Sequence, residues 1–328
     1  MEEKVIKAYK GFDKNMQCRG YQYEVGKEYD MDGEIKCCNR GFHACKSPME
    51  VWDHYDMLSS RFAEVEQSGK IEEEGNSTKV CSSRIKIKAE LKLADIIKIG
   101  VEWLKDITSP SKFKTDVAKN DNGGDYAQIG SSGDSAQIGS SGDYAQIGSS
   151  GDSAQIGSSG DYAQIGSLGY SAQIGSSGDS AKIGSLGYSA QIGSSGDSAQ
   201  IGSSGYYAQI GSSGDSAQIG SLGDSAQIGS SGDYAKIGSS GYYAKIGSSG
   251  DYAKIDSTGE DSVIMCAGNN SMAKAKVGSW ITLAEWEWND EKNRYVPVCV
   301  KTEYVDGENI KADTWYQLKG GEFVEVTK

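Results

Sequence analysis

The sequence predicts a mainly β protein organised around a parallel β-solenoid, and three observations lead there. From Gly124 to Thr258 a nonapeptide recurs fifteen times without insertion or deletion, Gly-(Asp/Tyr)-(Ser/Tyr)-Ala-(Gln/Lys)-Ile-Gly-Ser-(Ser/Leu), with small departures in the last copy. A short fixed period marks units that bury their apolar side only by stacking on their neighbours. Within each copy Ala and Ile flank a Gln or Lys, the alternation of a half-buried strand, so Ala127 and Ile129 are expected on one face and Gln128 on the other. Finally, the variable positions keep a parity. All eight odd copies carry Asp second (Asp125, Asp143, Asp161, Asp179, Asp197, Asp215, Asp233 and Asp251), whereas Tyr stands there only in even copies (Tyr170, Tyr188, Tyr206 and Tyr242). Leu at the ninth position is confined to odd copies, at Leu168, Leu186 and Leu222.

The structural unit is therefore expected to be eighteen residues, two strands per coil. Duplication of an eighteen-residue DNA segment would leave the same parity without structural meaning. The Gly-Ser-Ser-Gly run after each Ile reads as the corner, and two glycines in nearly every nine residues exclude a helix. Seven and a half coils at about 4.8 Å make a rod on the order of 36 Å long. Its open ends need covers against edge-to-edge growth.

Before the repeats, residues 1–123 read as a small α+β domain and linker. Strands are expected over Val5 to Tyr9, Tyr21 to Val25, Glu34 to Cys38, Arg61 to Glu66 and Val80 to Ile87. Ser47-Pro48-Met49-Glu50 reads as an N-cap, a proline at the first helical position and a capping glutamate, opening a helix to about Tyr55. A second helix, Leu93 to Ile107, puts Ile96, Ile97, Val101 and Leu104 on one side. After the repeats, 259–267 is a degenerate last coil closing the solenoid at 124–267, and 268–328 is an antiparallel β cap. Its strands are expected from Trp280 to Trp288, Arg294 to Glu303, Thr314 to Leu318 and Glu322 to Val326, with Trp280, Trp286, Trp288 and Trp315 packing in core and cap.

Charge narrows the partners. Residues 1–123 hold 21 Lys/Arg against 22 Asp/Glu, the repeats 4 against 12 and the remainder 8 against 12, local charges of −1, −8 and −4 within the total of −13. An acidic rod repels nucleic acid and anionic membranes, so neither is expected to bind directly, and basic proteins are favoured. The start carries no signal-type apolar core and the seven cysteines lack a secreted framework, which reads as cytoplasmic.

Cys18, Cys37, Cys38, His43 and Cys45 could supply zinc ligands, but their spacing is not a standard one and the chain has no Cys-x-x-Cys. The segments Tyr9-Lys10-Gly11-Phe12, Cys18 to Lys27, Cys38-x-x-Gly41-Phe42-His43-Ala44-Cys45 and Ser83 to Ile87 resemble an uncharacterised domain family of bacteriophage and prophage genomes, often followed by repeats. That resemblance implies an infected or lysogenic bacterium as the setting, or a virion, and gives no residue a role.

In the rod, the odd-copy aspartates form the candidate binding ladder, and Tyr126, Tyr144 and Tyr162 with Tyr170, Tyr188, Tyr206 and Tyr242 the aromatic one. A column of carboxylates one strand spacing apart costs nearly ~1 kcal/mol per neighbouring pair even in water, so cations, lysines or outward splaying are expected to relieve it. Calcium is the metal a β-roll template would admit, although Gly130-Ser131-Ser132-Gly133-Asp134 places the acid one residue early. No other cofactor is expected. Ice binding is disfavoured because the eighth-position serines are placed in turns, and nothing in the rod pairs a nucleophile with a base.

The expected function is thus a non-enzymatic protein whose acidic solenoid engages a host protein, as an inhibitor or decoy or as a mimic of DNA toward a basic nucleic-acid-binding partner. A structural or virion fibre component with carbohydrate- or calcium-binding repeats is the alternative, and it admits a homo-oligomer. An enzyme in the N-terminal domain ranks third.

Overall fold

The computed structural model describes residues 4–73, 78–108, 119–122 and 124–326, and the chain divides into two units, Met1–Trp103 and Leu104–Lys328. In the first, five antiparallel strands pair in the order Glu28–Asp30, Lys79–Leu91, Phe42–Cys45, Ile6–Phe12, Arg61–Glu73, and the two long strands also pair with each other. Ala8, Phe12, Phe42, Ala44, Val65, Ile85 and Ile87 make its core.

Two expected strands shrink here. Glu34 to Cys38 is a turn held by the Lys36–Arg40 bridge, because left-handed backbone at Gly33, Cys38 and Gly41 interrupts any extended run. Tyr21 to Val25 keeps only Tyr21–Gln22, set between the left-handed Gly20 and Gly26. The helix expected from Ser47 is a 3-10 segment, Met49–Asp53, with Pro48 rather than Ser47 at the cap position and no side-chain capping bond. Helix α1, Leu93–Ile107, forms as expected, with Ile96, Ile97, Val101 and Leu104 buried. A Cβ on Gly100 would lie 2.8 Å from the Met49 Cγ, so glycine lets the helix sit close there.

The second unit is the solenoid. Each copy contributes one four-residue strand, Gln/Lys-Ile-Gly-Ser in all but the last copy, and odd and even copies build opposite sheets. Partners are eighteen residues apart, parallel and in register, as in Ile147↔Ile165 on the odd sheet and Ile156↔Ile174 on the even one. Ala and Ile point inward and form a continuous core.

The corner is not where the sequence suggested. Gly and Ser after the Ile are strand residues, and the chain turns at Ser/Leu, Gly, Asp/Tyr and Ser/Tyr. The repeat-initial glycine is demanded by contact between coils: a Cβ on Gly178 would stand 2.0 Å from the Gly160 carbonyl oxygen. The third position of the odd corners is left-handed, with φ of 60° at Tyr126, 55° at Ser180 and 56° at Ser198.

Parallel pairing starts at Lys119–Asn122, which pairs with Gln137–Ser140, and continues through Met272–Lys274 to Trp280–Leu283, giving about nine coils. The solenoid therefore runs past the expected limit at 267. Its last step, Ile264↔Ile281, is seventeen residues rather than eighteen, short enough to escape a strict period. Antiparallel strands then extend both sheets: Trp280–Asn289 pairs with Arg294–Tyr304, and Tyr316–Lys319 with Glu322–Glu325. Val305, Ile310, Tyr316 and Leu318 join the rod core and close that end. The tryptophans depart from the expected packing, since Trp280 and Trp288 are half exposed. Trp286 donates its Nε1 hydrogen to the Ala267 carbonyl, and the Lys274 ammonium lies over Trp315.

Candidate binding surface

The two faces of the rod carry the same outward residues and meet different surroundings. On both, the fifth, seventh and ninth positions of the repeat point out, giving a column of Gln or Lys, a column of Gly and a column of Ser or Leu. On the odd sheet these positions are covered. Within the second unit, its opening residues Leu104 and Thr108 lie on the first coils: a Cβ on Gly130 would fall 1.7 Å from the Thr108 carbonyl oxygen and one on Gly148 within 2.4 Å of the Thr108 hydroxyl. Further along, Gln164, Lys182 and Gln200 are buried although they face outward.

On the even sheet the same positions are open. Gln155, Gln173, Gln191, Gln209 and Gln227 are exposed, and a Cβ added to Gly157, Gly175, Gly193, Gly211, Gly229 or Gly247 would meet nothing within 4 Å. None of these six glycines has a positive φ. Neither backbone conformation nor crowding calls for them, and glycine inside a strand costs about 0.5–1 kcal/mol each relative to Ala. The result is a shallow trough of about 1350 Å³ along the rod, floored by glycine and walled by Gln side chains. Its C-terminal end turns apolar: Val263 and Trp280 continue the Gln column, Met265 continues the Gly column, and all three are about half exposed. A glycine in a strand marks a place where another backbone approaches closely, and the odd sheet shows that approach being made at Gly130.

The corners carry the two ladders predicted from parity. Each odd-copy carboxylate accepts the backbone N–H of the residue one coil on, as in Asp161 N to Asp143 Oδ1 at 2.9 Å and Asp233 N to Asp215 Oδ1 at 2.8 Å. The column ends when Asn269 N donates to Asp251 Oδ1 at 2.7 Å. A carboxylate receiving an amide dipole is a charge-assisted bond, so the acids hold coil to coil with one oxygen and face solvent with the other.

The tyrosines stack on one another. Tyr126, Tyr144 and Tyr162 follow at 5.0 Å with nearly parallel rings, and Tyr170, Tyr188 and Tyr206 at 5.1 and 5.6 Å on the opposite edge, where Tyr242 instead meets its neighbour Tyr243. Ring faces inside each stack are thus occupied, and a sugar could lie only against an end ring or across the ring edges. The eighth-position serines, expected in turns, point inward at the strand ends and are buried, so they offer no outward hydroxyl array.

The N-terminal Cys/His set is spread over separate contacts. Cys45 is buried in its strand, where burial pushes its thiol up to about 12. The Cys18 Sγ lies 2.9 Å from the Tyr55 hydroxyl. His43 accepts the Cys38 backbone N–H at Nε2, and burial first, then Lys10, lower its pKa. The Cys37 thiol contacts the Glu72 carbonyl, and Cys81, absent from the predicted set, donates to the Arg40 carbonyl. Among the described residues no three His, Cys, Asp or Glu side chains are placed to hold a metal ion.

Residues 6–99 match the model of a domain of unknown function, DUF7666. The match leaves the solenoid outside it. Neither a curated protein nor a solved structure matches the chain. No helix among the described residues is long and apolar enough to cross a membrane.

Proposed function

We propose that this chain is a non-enzymatic binding protein that engages a protein partner along the even sheet of its solenoid. The observation that carries this reading is the bare glycine column, a feature with an energetic cost and no steric cause on the face where it stands open. Flanking it, the Asp edge beside the Ser column adds negative charge, which favours a neutral or basic partner and speeds its approach. The acidic ladder expected to be the contact itself becomes the rim, because its carboxylates are already tied to the next coil.

A second reading, a structural component that self-associates, is favoured by the apolar end of the trough at Val263, Met265 and Trp280. Affinity capture from bacterial lysate, the setting implied by the phage resemblance, separates the two when run beside sedimentation of the purified chain. Gly175→Gln/Gly193→Gln/Gly211→Gln fills the trough and is expected to abolish capture of a specific partner. Asp179→Asn/Asp197→Asn/Asp215→Asn is expected to slow that capture and retain it. A partner lost only with the Asp variant would return the contact to the acidic edge, and dimers or larger assemblies dispersed by the Gly variant would favour self-association.

A further inference from the structure

The N-terminal unit holds a cavity of about 1220 Å³ that binding along the rod does not use. Lys10 lies at its base. Residues 8–12 of the first strand are buried on both sides, so this lysine is carried inside and is only 5 % exposed. Its ammonium donates to the His43 carbonyl at 2.9 Å and lies 5.7 and 5.8 Å from the ring centres of Phe12 and Tyr23. It makes no ion pair with any carboxylate among the described residues, although buried charges are ordinarily paired.

Four neighbouring groups are held uncharged at neutral pH. Burial keeps the Cys45 thiol and the Tyr23 and Tyr55 phenols protonated. His43 is held neutral by burial. Burial above all lowers the Lys10 pKa, and the nearby Arg19 cation lowers it further, so an anion brought beside it would favour its charged form. The Cys18 thiol contacts the Tyr55 hydroxyl. Arg19 stands at the mouth in the tight turn Arg19–Gly20, with φ of 51° and 76°, a left-handed conformation that costs an arginine free energy. Its guanidinium has no hydrogen bond or ion pair among the described residues. Three acids line the cavity: Asp13 accepts the amides of Asn15 and Gln17, Asp56 accepts those of Leu58 and Ser59, and Asp53 stands near the Cys45 thiol.

Beside these cations stands an aromatic wall. Tyr21 is half exposed, with its ring braced edge-on by Tyr29 and Phe42 and tilted against Tyr23. We infer that this cavity binds a small organic anion, a planar ring bearing a phosphate or carboxylate, with Lys10 and Arg19 as its counter-charges and the ring laid on Tyr21. Guanidinium and ammonium together suit such a group, the first by its planar fork and the second as a point charge.

The test uses the full chain, with calorimetric titration and thermal unfolding in adenosine monophosphate, benzoate and inorganic phosphate against chloride at equal ionic strength. Adenosine monophosphate or benzoate is expected to bind at least tenfold more tightly than inorganic phosphate and to raise the unfolding temperature. Response to the first alone identifies a phosphate ligand, and to the second alone a carboxylate. Lys10→Met, which keeps the stem and removes the charge, is expected to fold at least as stably as the wild type and to lose at least tenfold in affinity. Arg19→Gln, at an exposed turn, should lose a similar factor, and Cys18→Ser should keep the response. The proposal fails if neither organic anion binds more tightly than chloride, or if Arg19→Gln binds as the wild type does. It fails equally if Cys18→Ser tightens binding tenfold or more, which would put the counter-charge for Lys10 on the Cys18 sulfur. If Lys10→Met does not fold, Arg19→Gln and Cys18→Ser decide alone.

Discussion

Two glycines three residues apart, Gly193 and Gly196, should respond to the same substitution with opposite sign. In Gly196→Ala the new Cβ would lie 2.0 Å from the Gly178 carbonyl oxygen, where ordinary contact begins at 3.4 Å, so adjacent coils must part by roughly 1 Å. That motion strains the inter-coil bonds on either side, Ser195 N to Ser176 O at 3.0 Å and Asp197 N to Asp179 Oδ1 at 2.8 Å. Two such bonds at about 1 kcal/mol each, with overpacking of about 1–3 kcal/mol, give a loss of ~3–5 kcal/mol. In Gly193→Ala nothing lies within 4 Å of the new methyl and the backbone is not left-handed. A gain of about 0.5–1 kcal/mol is expected there from lower unfolded-chain entropy. Met265 already occupies the equivalent position one coil from the end, half exposed. The assay is thermal unfolding of the full chain followed by far-ultraviolet circular dichroism, with midpoints about 10 °C or more apart expected for a unit of this size. Equal destabilisation by both variants would refute the open face, and equal tolerance would refute glycine contact as the cause of coil spacing.

Four further outcomes are expected. Ser194→Ala removes a buried hydroxyl that lacks a hydrogen-bond partner in the even sheet and should stabilise by about 1 kcal/mol in the same unfolding assay. Ser198→Asn places a residue tolerant of left-handed backbone at φ of 56° and should raise the stability by up to about 1 kcal/mol, whereas Ser198→Val should lower it by more. Iodoacetamide at pH 8 should leave Cys45, Cys81 and Cys266 unlabelled in the folded chain, because burial pushes each thiol up to about 12, while the exposed Cys38 reacts; mass spectrometry of the peptides reads the pattern. Glu73, hydrogen-bonded by Lys4 and Lys46, is held down to about 2 from an ordinary 4.5. Its stabilisation is complete above about 4.5 and lost as pH falls through about 2, so Glu73→Gln should flatten the midpoint between pH 5 and 2 by less than ~1 kcal/mol, the pair being exposed.

The eighteen-residue coil was legible because parity records which sheet a copy belongs to: Tyr170 and Leu168 sit in neighbouring copies whose strands lie in opposite sheets. Strand boundaries were less so. Glycine and serine suggest a turn, yet Gly130 and Ser131 finish a strand, because once coils stack in register the ladder satisfies the backbone whatever the side chain. In the N-terminal domain the strand was read as ending at Tyr9, and it runs on to Phe12. That three-residue error hid Lys10, which a polar reading of Lys10-Gly11 would place in solvent. Burial on both sides of one strand is a tertiary fact with no period to announce it.

One nonapeptide therefore does two jobs. On the odd sheet its seventh-position glycine is needed at Gly130 and Gly148, which lie under Thr108 of the same unit. On the even sheet the same residue is free to vary by every local measure, and a methionine stands at its place in Val263–Cys266. If duplication alone had spread the glycine, substitutions should have accumulated where they are harmless, as they have at the second, third and ninth positions. Between Gly139 and Gly247 all seven even copies keep it. Retention at a site that packing leaves unconstrained supports the proposed partner along the trough, because a bare glycine floor admits a backbone laid against it.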